Sequence, residues 1–297
     1  MGTATKWLHK AVRGLRSFAY AGSGNRPKIG LALGGGFARG IAHIGVLRVL
    51  EEHEIPIDFI AGTSVGALIA ATYASGTALA EMERQGAATT FRDFGRWKLS
   101  RMGMASNAPL EHFLHKFTPA EFFNQMKIPL SIVATNLIDG KSVHFTEGEI
   151  GPALRASCAY PGLFLPVEYR GQILVDGFLT ETVPAEAVRE MGADIVIGVH
   201  LEPGLLKTAP RNTIEVISRS FSIIQTAAAQ LWHSDVDILI EPEVHHILWD
   251  EFVKTPQLVA AGEAATRAAI PKIKVALTGE LSQTFRERRS ARSLGEG

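Results

Sequence analysis

A single cysteine, Cys158, in 297 residues excludes an internal disulfide and fits a reducing compartment. Net charge is also missing. Thirty basic and thirty acidic residues cancel, so nothing global points to nucleic acid as a partner. There is no H-E-x-x-H pair and no cysteine cluster, so the spacing predicts no metal site. A secretory leader is not expected, because the basic N-terminus lacks an unbroken apolar core. The uncharged stretch 59–80 is long enough to suggest a membrane span. Gly62, Thr63, Ser64, Gly66, Ser75, Gly76 and Thr77 interrupt it, and it reads as a strand, a turn and a buried helix. Acidic residues are absent before Glu51, whereas Lys6, Lys10, Arg13, Arg16, Arg26, Lys28, Arg39 and Arg48 precede it.

What is present describes a globular chain with a sizeable core: 46% hydrophobic and 20% charged residues, at a length suited to one large α/β domain. Within the segment 1–27, residues 1–20 form a basic amphipathic helix, with Leu8, Ala11, Val12, Leu15, Phe18 and Ala19 on one face. Such a segment lies on an anionic membrane surface, docks on the domain or frays as a terminus. A glycine-serine linker follows it. The segment 28–280 reads as the main domain, and 281–297 as a polar, disordered tail. Short apolar strands are expected at 28–33, 57–61, 130–135, 143–145, 173–175, 194–199 and 237–240. Helices are expected after residue 41, after residue 66, over 154–160 and over 256–276, and residues 86–109 read as irregular. Strands alternating with helices argue for an α/β fold with a mostly parallel sheet covered on both faces.

Three elements carry chemistry. Gly62-Thr63-Ser64-Val65-Gly66 is a G-x-S-x-G pentapeptide between an apolar strand and an apolar helix, the context of a nucleophile elbow. Alone, it reads equally well as a small-residue turn packing a helix on a sheet. Gly34-Gly35-Gly36-Phe37-Ala38-Arg39-Gly40 follows another strand. There, successive backbone amides turn toward one anion at a helix N-terminus. It fails the P-loop pattern, which ends in Gly-Lys-Ser/Thr, and it fails the dinucleotide glycine spacing. An oxyanion hole remains, with donors near Gly35, Gly36 and Phe37; Arg39 either adds positive charge or braces the loop. Asp176-Gly177 ends the apolar run 173–175, and a carboxylate there becomes a candidate base beside the other two elements.

Together these elements resemble the patatin-like phospholipases. The match takes in the glycine block with Ala42-His43-Ile44-Gly45-Val46-Leu47, the serine block, Ala156-Ser157 with Pro161, and Asp176-Gly177, across roughly residues 28–275. The resemblance implies a three-layer α/β/α sandwich and a Ser-Asp dyad, with Ser64 as nucleophile and Asp176 as proton acceptor. It also implies acyl-lipid substrates, a phospholipid or lysophospholipid, and no cofactor. The chain departs from the family at Phe178, where Gly or Ala is usual, and Phe37 adds bulk at the oxyanion loop. A lipid-binding protein with little turnover is therefore the competing reading. A Ser-Asp-His triad would need His200, His233, His245 or His246, none of which stands in a hydrolase context. His43 is expected to pack near the glycine loop. The expected location is cytoplasmic, with peripheral contact to the inner membrane surface through residues 1–20 and 91–104. The second of these mixes Phe91, Phe94, Trp97, Met102 and Met104 with arginines, and reads equally as a segment folded on the core.

Overall fold

The computed structural model describes residues 26–98, 100–202, 209–233 and 235–278. The basic helix expected over 1–20 and the tail 281–297 lie outside the described residues. Ten strands are present among the described residues: β1 Ile29–Leu33, β2 Phe59–Thr63, β3 Arg96–Trp97, β4 Ala105–Ser106, β5 Leu130–Asn136, β6 Ser142–Phe145, β7 Val167–Tyr169, β8 Gln172–Asp176, β9 Ile195–Val199 and β10 Ile238–Ile240. The α-helices are α1 Ala42–Glu52, α2 Val65–Ala74, α3 Leu79–Ala88, α4 Phe91–Phe94, α5 Pro109–Phe117, α6 Ile150–Ser157, α7 Ala185–Glu190, α8 Thr213–His233 and α9 Thr255–Leu277.

Strand periodicity sorts the core into two layers. Ile29, Leu31 and Leu33 of β1, with Ile195, Ile197 and Val199 of β9, point to one face, where α1, α2, α6 and α9 cover them. Each such fully buried side chain is worth ~1.5–3 kcal/mol. The alternate residues Ala32, Ala61, Val133 and Val196 point to the other face, where Ala185, Ala187 and Val188 of α7 meet them. Helices thus cover both faces, and the fold is the three-layer α/β/α sandwich the sequence predicts.

Five strands, in the order β10-β9-β1-β2-β5, pair in parallel, and β6, β7 and β8 add antiparallel partners. The register around β5 positions the site. Ile132 pairs with Gly62 of β2 and with Phe145 of β6, so those two strands flank it on opposite edges. Thr135 pairs with Ser142 of β6 and Val175 of β8, so β8 occupies the same edge as β2. Strand β2 ends opposite Val133, and β8, running the other way, ends with Asp176 opposite Ala134. The two strands meet end to end, and Asp176 arrives at the carboxyl end of β2. It is therefore not at the carboxyl end of a parallel strand, as the open-sheet rule suggests; an antiparallel strand delivers it to the same place.

Several boundaries differ from expectation for local reasons. Strand β2 begins at Phe59 because Asp58 is occupied elsewhere: its carboxylate takes a bidentate pair from Arg26, both contacts at 2.7 Å, and the Ile29 amide at 2.7 Å. Helix α6 starts after Gly148, at φ 87°, and ends at Ser157, whose hydroxyl is drawn into β5. Residues 86–109 are more ordered than expected. Thr90 and Asp93 cap the one-turn helix α4, and β3 pairs with β4 as a two-residue ribbon. Helix α8 has no counterpart among the expected elements. Its start is marked by Asn212, whose side chain accepts the Glu215 amide at 2.9 Å. Among the described residues no helix is long and apolar enough to cross a membrane.

Candidate active site

Parallel pairing of Leu33 with Gly62 makes the glycine loop and the serine turn leave adjacent strands at the same end. Ser64 stands at the N-terminus of α2 with φ 57° and ψ −128°. For a residue with a side chain this left-handed geometry costs on the order of 1–3 kcal/mol, and it persists only where neighbours enforce it. Three contacts do so. The Ser64 amide donates to the Ser157 hydroxyl at 2.9 Å, and that hydroxyl donates to the Val133 carbonyl at 2.6 Å. The Ser64 carbonyl accepts the Ala67 amide at 2.9 Å. The flanking glycines let backbones touch: a Cβ on Gly66 would lie 2.2 Å from the Leu33 oxygen, and one on Gly62 2.4 Å from the Ala67 nitrogen. Thr63 anchors the turn from below, donating to the Glu181 carbonyl at 2.9 Å. Val65 packs on Gly40, where a Cβ would fall 2.4 Å from Val65 Cγ1.

Asp176 lies beside this turn, fully buried. One carboxylate oxygen accepts the Phe178 amide at 3.1 Å. The other, Oδ2, makes no hydrogen bond of normal geometry among the described residues, although the Ser64 hydroxyl is close enough to draw the Asp176 pKa down. Removal from water is the larger effect and pushes the carboxyl up to about 7. No histidine is among the groups that act on it. Gly177 permits the approach, since a Cβ there would lie 2.4 Å from the Val133 oxygen and 3.2 Å from Thr63 Cγ2. Cys158 also faces Ser64 and Asp176; burial, then the Asp176 charge, pushes its thiol well up, which leaves it an unreactive neighbour.

Gly35 lies against Ser64, with a Cβ position 3.2 Å from the serine Cβ. In the glycine loop the Gly34, Ala38 and Arg39 amides donate to the carbonyls of Val199, Trp249 and Gly36. The amides of Gly35, Gly36 and Phe37 find no acceptor among the described residues. His43, fully buried in α1, holds the loop from behind through Nε2 and the Gly34 carbonyl, 2.8 Å apart; burial pushes its pKa down to about 4. Arg39 is braced on the Gly36 and Glu202 carbonyls, both at 3.3 Å, and remains a cation although burial lowers its pKa to about 10.

A cavity of about 340 Å³ opens over these groups. Ser64, Gly35, Gly36, Phe37 and Arg39 line it, while Asp176 sits behind Ser64, out of reach of solvent. Its walls include side chains that spacing alone did not single out: Tyr160, Thr182, Trp249, and Ser218 and Ser222 of α8. Phe37 sits edge-on to Tyr160 and Trp249, at centroid distances of 5.1 and 5.4 Å, and Phe178 stacks on Tyr160 at 5.0 Å. Both phenylalanines are therefore wall residues beside an open space. Of the four histidines weighed for a triad, His200 and His245 reach the cavity wall, and neither acts on Asp176.

Residues 91–104 pack on the core in part. Phe91 packs on Phe164 and Phe94 on Phe113, whereas Trp97 and Met102 are 64% and 60% exposed beside the exposed Arg96, Lys98 and Arg101.

An NTE-family protein of Mycobacterium tuberculosis, described as uncharacterised, is 36% identical over 200 residues, covering 65% of this chain and 55% of its own length. The chain thus spans about half the length of such relatives. Lysophospholipase NTE1 of Mycosarcoma maydis is 34% identical over 200 residues, covering 62% of this chain and 10% of that one. Among solved structures, VipD from Legionella pneumophila aligns with a TM-score of 0.48 at 14% identity, over 83% of this chain and 67% of that one. The sequence profile described as Patatin-like phospholipase matches residues 31–189, more than half of the 297 residues. The glycine loop, the serine turn and Asp176-Gly177 all fall inside that match, and the chain belongs to the patatin-like phospholipase family.

Proposed function

We propose that the chain is a serine hydrolase of acyl lipids, acting on a phospholipid or lysophospholipid through a Ser64–Asp176 dyad. One observation carries the reading. A serine held in left-handed geometry faces a cavity, with a buried carboxylate of raised pKa behind it and, beside it, three amides that find no acceptor among the described residues.

Ser64 Oγ attacks the ester carbonyl carbon as Asp176 takes the hydroxyl proton. The carbonyl electron pair moves to oxygen, and the amides of Gly35, Gly36 and Phe37 receive the oxyanion. Each such donor contributes about 3 kcal/mol in the transition state. Arg39 and the N-terminus of α2 add positive potential. Collapse expels the alcohol, which takes the proton from Asp176 and leaves an acyl ester on Ser64. Water, deprotonated by Asp176, attacks that ester; the second collapse restores Ser64 and releases the fatty acid. A pKa of about 7 makes Asp176 a far better base than an exposed aspartate, without leaving it protonated at mildly alkaline pH.

The apolar side chains of Tyr160, Leu163, Phe178 and Ile214 suit an acyl chain. Because Phe37 and Phe178 line the space without filling it, turnover is favoured over mere lipid binding. The exposed Trp97 and Met102, among basic residues, together with residues 1–20, are the proposed contact with an anionic lipid surface. The test is a fluorophosphonate probe followed by lipid profiling. Labelling and fatty-acid release in the wild type, both lost in Ser64→Ala, are expected. An unlabelled wild type, or a Ser64→Ala variant that still hydrolyses, overturns the reading.

A further inference from the structure

Three segments distant in sequence bring two imidazoles and a carboxylate to one point beside the cavity. Strands β9 and β10 run in parallel with Val199 beside Ile240, so the next residue on each, His200 and Glu241, leaves the sheet next to its neighbour. The His200 amide donates to the Ile240 carbonyl at 3.0 Å and fixes that pairing. His233, the last residue of α8, comes down on them, its ring centroid 6.5 Å from that of His200. One ligand atom of each residue lies within 4.8 Å of the other two. His200 Nδ1 and Glu241 Oε1 are 3.3 Å apart, close to the edge of a tetrahedron with metal–ligand bonds of about 2.1 Å. His200 is buried, whereas His233 and Glu241 are exposed, so an ion has a route in from solvent.

We propose that His200, His233 and Glu241 form a binding site for one divalent transition-metal ion of the zinc class, with a remaining coordination position for water or another oxygen ligand. Two imidazoles and one carboxylate favour zinc, cobalt or nickel over magnesium and calcium, which select all-oxygen sites. No spacing rule finds such a site, because each ligand lies on a different segment and only the fold assembles them.

The position gives the ion a mechanical consequence. His200 is part of the cavity wall, and Leu201 and Glu202 after it bear on the glycine loop. A Cβ on Gly36 would lie 3.0 Å from Leu201 Cδ1, and the Glu202 carbonyl holds Arg39. Across the cavity, α8 contributes Ser218, Ser222 and Gln225. A bound metal therefore ties the end of α8 to the sheet and fixes two walls relative to each other.

The test is a Co²⁺ titration of the full chain, followed by visible absorption, with Zn²⁺ displacement and thermal unfolding as second readouts. The wild type is expected to develop a ligand-field band that saturates at one equivalent and is abolished by Zn²⁺, with Mg²⁺ having no effect. Zn²⁺ is expected to raise its unfolding temperature. His233→Ala, at an exposed helix end, and Glu241→Gln, at a half-exposed carboxylate, should each weaken binding by more than about tenfold. Either variant tests the proposal if the other misfolds. The adjacent His245 and His246, with ring centroids 5.6 Å apart, are the competing site, so His246→Ala is expected to bind like the wild type. No band in the wild type, a band unchanged in both ligand variants, or a band lost in His246→Ala overturns the assignment. None of these readouts depends on hydrolysis.

Discussion

The Ser157 hydroxyl accepts the Ser64 amide hydrogen at 2.9 Å and gives its own proton to the Val133 carbonyl at 2.6 Å. One side chain at the end of α6 thus pins the serine turn to the neighbouring strand. Ser157→Ala removes the link and leaves a buried amide and carbonyl without partners, each costing about 1–3 kcal/mol. Chemical denaturation should show a loss on the order of 2 kcal/mol. The rate of fluorophosphonate labelling should fall at least tenfold, because the left-handed Ser64 geometry relaxes.

In the proposed mechanism Asp176 links catalysis and stability with opposite signs. Its folded-state pKa of about 7 stands above the ordinary 3.8, so the folded protein holds this proton more tightly than the unfolded chain. The associated stability is fully present below about pH 4 and is lost as pH rises through about 7. Asp176→Asn carries no such loss. Its stability relative to the wild type should therefore increase between pH 4 and pH 8, by on the order of 4 kcal/mol for a shift of about three units. Its hydrolysis should be abolished at every pH. In the wild type kcat/KM should decline on the acid side with an apparent pKa near 7, which a pH–rate profile reads directly.

Two glycines make a contrasting pair. Gly66→Ala would drive a methyl group into the Leu33 and Gly34 oxygens, at 2.2 and 2.6 Å, and should cost more than about 3 kcal/mol or prevent folding. Inside α3, the three atoms nearest the Gly86 Cβ position all belong to Ile41, at 3.4 Å and beyond. Gly86→Ala should stabilise the protein by about 0.5–1 kcal/mol through helix propensity. Thermal unfolding of the two variants separates the effects.

Phe178 sits in the wall between Tyr160 and Phe221, with ring centroids at 5.0 and 5.1 Å. Phe178→Ala should enlarge the cavity and move the substrate preference toward longer or bulkier acyl groups, measured as kcat/KM across a series of chain lengths. The stability cost should be about 3 kcal/mol. An unchanged chain-length profile would place the acyl chain against another wall.

Much of this architecture is legible in the sequence. Short apolar strands alternating with helices imply a sheet covered on two faces, and the G-x-S-x-G and glycine blocks each stand between an apolar strand and a helix. The position of His43 in the sequence implies packing near the glycine loop, and its ring holds the Gly34 carbonyl. What could not be read is the direction of β8. A run such as Ile173-Leu174-Val175 has the same composition whether it runs with or against β5, and only pairing decides. The cavity walls were equally hidden, since Ser218, Trp249 and Tyr160 reach one space from three separate segments. Helix α8 was detectable in principle from Asn212 and Glu215, whose spacing of three marks a helix start.

Because β2 and β8 abut along a single edge of β5, that strand serves as a common ruler for Ser64 and Asp176. The loops that separate them in sequence do not enter the measurement. Insertions at the exposed Asp139-Gly140 turn between β5 and β6 are then expected to leave their spacing untouched, whereas a one-residue slip of β8 along β5 would turn the carboxylate to the opposite side of the sheet.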